Sequence, residues 1–137
     1  MILDATEVIL GRLASFAASQ ALLGKKVDII NSEKAVITGR KKYTLQAYLE
    51  KVHRGSSTRG PFMRRSPDRF VKRAIRGMLP YNSFHGKKAF SRIRCYQGVP
   101  EEFTGKDTVA LKGMDTSKLA VAKYVTVKEV CTTMGGK

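Results

Sequence analysis

Tryptophan is absent, and the two cysteines, Cys95 and Cys131, stand far apart with no CxxC spacing and no paired histidine. Zinc ligation therefore has little support, and each thiol reads as a small buried apolar group in a reducing compartment. No apolar run approaches the roughly 18–20 residues that a membrane span needs. The start Met1-Ile-Leu-Asp4 lacks the basic and long apolar regions of a secretory signal. A soluble, cytoplasmic protein is expected. Phosphate loops are missing as well: Gly11 falls near the first strand-to-helix turn, but neither GxGxxG nor GxxxxGK followed by Ser or Thr surrounds it. Without a run of free backbone N–H groups there is no cradle for a pyrophosphate. The acids are scattered, with no pair spaced for acid–base or two-metal work. No catalytic residue, cofactor or metal is expected, and His85 reads as a loop histidine beside nucleic acid rather than a general base.

The scarcity with the largest consequence is of acids in the middle of the chain. Between Arg40 and Arg94 sixteen Lys and Arg face only Glu50 and Asp68, a local excess of +14 out of the formal +15. The rest is nearly neutral. Such a belt repels itself in a compact domain unless a polyanion neutralises it. Most of its cations are Arg, whose planar fork suits phosphate oxygens. An anionic membrane surface is the alternative target, but aromatic anchors on an apolar helix face are too few for it.

What is present fits one domain spanning residues 1–137, long enough and, at 42% hydrophobic, apolar enough to bury a core. Met1 to Asp4 is a short apolar start, and Val27 to Asn31 is a strand candidate. Between them Ile9 to Leu23 reads as a helix closed by Gly24, with Leu10, Leu13, Ala14, Phe16, Ala17 and Ala21 on one side. Strand, helix, strand suggests a βαβ unit with a parallel pair. Ala35 to Thr38 is another β candidate, and Tyr43 to Val52 another helix, its Leu45, Tyr48, Leu49 and Val52 at helical spacing. Periodicity then vanishes from Arg54 to Ser66, an arm expected to order against its ligand.

Ser66-Pro67-Asp68 is a helix start, with Ser as N-cap, Pro in the first position and an acid in the first turn. This helix runs to about Arg76 and is limited by Gly77 and Pro80. Arg69, Lys72, Arg73 and Arg76 fall within an arc of roughly 100°, opposite Phe70, Val71, Ala74, Ile75 and Met78. Solvated faces usually mix signs, because Glu–Lys pairs favour the helix, whereas here like charges meet at helical spacing. Ligand contact is the better explanation. Lys87 to Arg92 suggests a short helix and Ile93 to Gln97 a strand. Val109 to Leu111 is a weak strand candidate, and Thr126 to Glu129 has capping-box spacing before a last helix stopped by Gly135-Gly136. The candidate contacts are Arg40, Lys41 and Lys42; Arg54, Arg59, Arg64 and Arg65 on the arm; Arg69, Lys72, Arg73 and Arg76 on the helix; and Lys87, Lys88 and Arg92 beyond it.

A duplex DNA reader would normally set Asn, Gln or Arg to reach base edges from a recognition helix. This helix offers only long cations, beside a flexible Arg/Gly arm and the aromatics Phe62, Tyr81 and Phe84. Structured RNA suits that arrangement better. Phe62 and Tyr81 either stack on bases or pack in the core.

Leu10-Gly11-Arg12-Leu13-Ala14-Ser15, Ala35-Val-Ile-Thr38-Gly39, Gly60-Pro61-Phe62 and Arg65-Ser66-Pro67 resemble the large-subunit ribosomal protein L13 family. So do Arg73-Ala-Ile-Arg76-Gly77-Met78-Leu79-Pro80 and Tyr96-Gln-Gly98-Val99-Pro100. The block from Gly60 to Pro80, with Lys123 to Val127 and Gly135-Gly136, looks like the archaeal branch. The resemblance implies a three-layer α/β/α domain with a mainly parallel sheet of about four strands and a basic extension. It implies a non-enzymatic constituent of the large ribosomal subunit, bound to 23S-type rRNA during early assembly and flanked by other ribosomal proteins. No small-molecule substrate, membrane or homo-oligomer is implied. Arg65, Arg69, Arg73 and Arg76 become the leading RNA contacts, then Lys41, Lys42 and Arg64. Asn82 and His85 depart from the family, which is usually basic there, so a phosphate contact in that turn is either absent or carried by His85. A translational regulator acting off the ribosome is the alternative function.

Overall fold

The computed structural model describes residues 1–56, 58–109, 111, 113–119 and 123–136. Strand β1 (Ile2–Asp4), helix α1 (Leu10–Leu22) and strand β2 (Val27–Ile30) form the expected βαβ unit, with β1 and β2 parallel and Leu3 opposite Ile29. β4 (Ile93–Cys95) adds to the other side of β2, also parallel, giving the order β1-β2-β4. Successive strand residues point to opposite faces. On one face Leu3, Val27, Ile29 and Ile93 are fully buried; on the other, Ile2 and Asp28 are half-buried and Arg94 is exposed.

The buried face is covered by helices. α1 presents Leu10, Leu13, Ala14, Ala17, Ala18 and Ala21 to the core, and packs against α3 (Pro67–Arg76) and α4 (Phe84–Ser91). Its alanines let these helices approach closely, and each fully buried Leu, Ile or Val contributes about 1.5–3 kcal/mol. Phe16, expected on the core side, is half-buried, while Ala18 takes an unexpected place in the core.

The α/β class holds, with the strands divided between two sheets. Three strands run parallel; the fourth candidate forms β3 (Val36–Thr38) and pairs antiparallel with β5 (Tyr124–Thr126), Ile37 opposite Val125. Asn31, in the left-handed region at φ 53°, turns the chain out of β2 toward that second sheet. Two further helices flank the pair: α2 (Lys41–His53) and α5 (Val127–Thr133). The capping box at the start of α5 is complete, with Thr126 accepting from the Glu129 N–H and Glu129 accepting from the Thr126 N–H. Val109 makes a lone parallel bridge to Leu3, and Ala110, the centre of that strand candidate, lies outside the described residues.

Two helix starts differ from expectation. α4 begins at Phe84 rather than Lys87, because Ser83 accepts from the Gly86 N–H and caps it; His85 therefore lies in a first helical turn and not in a loop. Ser66 does sit at the N-cap of α3, yet its hydroxyl makes no cap bond to the backbone. It donates instead to the Asp68 carboxylate, and Gln97 donates to both Ser66 Oγ and Asp68 Oδ1 at 3.1 Å. A tertiary partner has taken over a local motif.

Candidate nucleic-acid interface

α3 separates its two faces sharply. Pro67, Phe70, Val71 and Ile75 are buried, Arg69, Arg73 and Arg76 are exposed, and Lys72 is half-buried. Met78, expected on the core side, is 45% exposed, because the helix has already ended at Gly77. Asp68 lies beside these cations but spends its oxygen on Ser66 and Gln97. Partial burial pushes its carboxyl upward, and the hydrogen bonds from Ser66, Gln97 and the Arg69 N–H outweigh this, holding it below the ordinary carboxylate value. Glu50, the other acid of the belt, accepts from Gln46 at 3.2 Å. Among the described residues the single ion pair is Lys41–Glu129 at 2.7 Å, which ties α2 to α5 and holds Glu129 below its usual value. The rest of the belt has no acidic partner among the described residues.

The arm lies beside this face and has more local structure than its composition suggested. Ser56 and Gly60 exchange backbone hydrogen bonds of 3.3 and 2.9 Å, closing a tight loop that carries exposed Arg59. Ser57 within it is outside the described residues. Arg73 fastens the arm to α3, donating to the Phe62 carbonyl at 3.1 Å and to Met63 Sδ at 3.6 Å. Arg65 packs at the C-terminus: a Cβ on Gly135 would meet its guanidinium at 3.3 Å, and one on Gly136 would overlap its carbonyl oxygen.

Cations and rings interleave where α3 meets α4. Lys72 Nζ sits 5.0 Å from the centre of the Phe90 ring, and Arg76 lies over Tyr81 at 5.1 Å. Tyr81 and Phe90 meet edge to face at 5.4 Å. Phe62 and Phe84 are 64% and 80% exposed, so neither packs in the core. Between arm and helix lies an open groove of about 500 Å³, lined by Arg64, Arg69, Lys72, Arg73 and Arg76 with Phe62 and Phe90 as its rings.

The remaining candidates spread over a wider surface. Arg40 precedes α2, and Lys41 and Lys42 open it, all exposed. Arg54 follows α2, and Lys87 and Lys88 are exposed on α4. Arg92 is different: half-buried, it donates to the Ala21 carbonyl at the end of α1 at 3.2 Å. Phe90 and Met63 were not singled out from the sequence. Their partners Lys72 and Arg73 come from another element, so no local pattern marks them. Among the described residues no cluster of three His, Cys, Asp or Glu side chains could hold a metal, and no helix is long and apolar enough to cross a membrane.

Fold and face together define a basic α/β domain with a row of exposed cations on α3 that has no acidic partner among the described residues. The sequence profile of ribosomal protein L13 matches residues 1–102. The large ribosomal subunit protein uL13 of Methanosarcina barkeri is 44% identical over 137 residues, covering 99% of this chain and 98% of the relative. Those of Archaeoglobus fulgidus and Haloarcula marismortui are 42% and 40% identical over 98% of this chain, covering 86% and 90% of the relatives. The chain belongs to the ribosomal protein L13 family. That family is a structural component and not an enzyme.

Proposed function

We propose that the chain is a structural constituent of the large ribosomal subunit in the cytoplasm. It binds 23S-type rRNA through the arm and α3, next to other large-subunit proteins, and helps assemble and stabilise the particle. The observation that carries this reading is the exposed row Arg69, Arg73 and Arg76, with no acidic partner among the described residues and backed by a helix face in the core. Phosphates supply the missing counter-charge. The family relationship supports the ribosomal setting.

Binding to large-subunit rRNA should weaken steeply with salt, the logarithmic slope scaling with the phosphates neutralised. Changing Arg69, Arg73 and Arg76 together to Ala should flatten that slope and weaken binding by well over tenfold. An affinity within twofold of wild type would remove α3 from the interface. In sucrose gradients the chain should sediment with the large subunit; a free pool that dominates would favour the off-ribosome regulator.

A further inference from the structure

Phe62 stands on a ridge between two basic concavities. On one side is the groove along α3; on the other is a second hollow of about 550 Å³, lined by His53, Arg54, Arg65 and the loop from Gly55 to Ser56. The ring is 64% exposed yet held in place. Its carbonyl is fixed by Arg73, and the ring rests against Gly60, where a Cβ would lie 3.0 to 3.1 Å from its carbons. Tyr81 and Phe90, by contrast, already carry Arg76 and Lys72 over their rings. Of the two phenyl rings that line the hollows, Phe62 and Phe90, Phe62 is the one with no cation over its face among the described residues.

Phosphate contact needs cations alone and gives no reason to hold an aromatic ring in water. A fixed ring flanked by basic grooves suits an unstacked base whose neighbouring phosphates run down either side. Paired RNA keeps its base faces inside the stack and offers such a ring nothing to cover. The geometry points to an unpaired RNA nucleotide, seated with its base on Phe62 and its flanking phosphates in the two hollows. This rests on the RNA-binding reading above and adds the class of nucleotide that the site takes.

The test uses the full chain bound to deproteinised archaeal large-subunit rRNA. Ultraviolet crosslinking with peptide mass spectrometry should find an adduct on Phe62, and reverse-transcription stops should place it at a nucleotide that chemical probing shows unpaired. Phe62→Ala should lose about tenfold in affinity with the salt slope unchanged, and Phe62→Trp should restore it. Circular dichroism of Phe62→Ala checks that the fold is kept, which the exposure of the ring favours. An affinity for Phe62→Ala within twofold of wild type, or adducts confined to paired nucleotides, overturns the inference. If wild type itself binds rRNA weakly and without salt dependence, the RNA-binding reading falls first; steep salt dependence with an indifferent Phe62 removes this inference alone.

Discussion

Gly86 lies against the backbone of Pro80: a Cβ there would overlap the Pro80 carbonyl oxygen and come within 2.5 Å of its carbon. The turn from Leu79 to Ser83 thus folds back onto the first turn of α4, bringing Tyr81 to Phe90. Gly86→Ala should raise helix propensity yet destabilise the protein, by about 1–3 kcal/mol as overpacked sites do. Urea unfolding monitored by circular dichroism measures this; a gain in stability would mean that the turn gives way freely.

Arg73 has two roles, and they can be separated. It belongs to the exposed row of α3 and also clamps the arm through Phe62 and Met63. Arg73→Ala should therefore speed tryptic cleavage at Arg59 and Arg64 in the free protein, whereas Arg69→Ala should leave those sites as slow as in wild type. Both should lower the salt slope for RNA. Equal cleavage rates in the two variants would show that the clamp does not restrain the arm.

Acid should loosen the start of α3. Asp68 and Asp4 both titrate below their ordinary values. For Asp4, partial burial acts upward and is outweighed by hydrogen bonds from Thr6 and Asn31 with the Lys34 charge. A carboxylate with a lowered folded value contributes stability that is present above its unfolded value, about pH 4, and is lost as pH falls through the folded one. Denaturant midpoints of wild type should drop below about pH 4. Asp68→Asn should start lower and show a shallower fall; an unchanged acid limb would mean that the bonds to Ser66 and Gln97 add nothing.

The thiols should be inert. Burial pushes Cys95 up to about 12, where nearby Lys72 acts downward and Asp68 and Asp28 upward, and burial with Asp68 pushes Cys131 up to about 11. Neither is thiolate at mildly alkaline pH, and both are free. Iodoacetamide at pH 8 should label the native protein far more slowly than the urea-unfolded chain. Fast native labelling of Cys95 would place it nearer solvent than the fold has it.

The helices were readable because their pattern is long enough to repeat. In α1 and α3 the apolar spacing identifies the buried face over three turns or so, and in α5 a local capping box marks the start. The strand β5 has three residues, too few for alternation, and its partner β3 is far away in the chain. Gly86 made the opening of α4 look like loop, since its reason for being glycine is Pro80. The charge of the interface was plain in composition, because unpaired cations need no structure to be counted. The groove, the clamp on Phe62 and the diversion of Arg92 to Ala21 depend on contacts between distant segments, which no local pattern encodes.

Gln97, just after β4, fastens the first turn of α3 to the sheet, so the helix that spaces Arg69, Lys72, Arg73 and Arg76 is anchored to the scaffold in the chain alone. On the RNA-binding function proposed above, the protein would act as a mould and not as clay. The freedom lost on docking would then fall mainly on the nucleic acid, and a misfolded RNA segment would be turned away where a supple tail would have wrapped it.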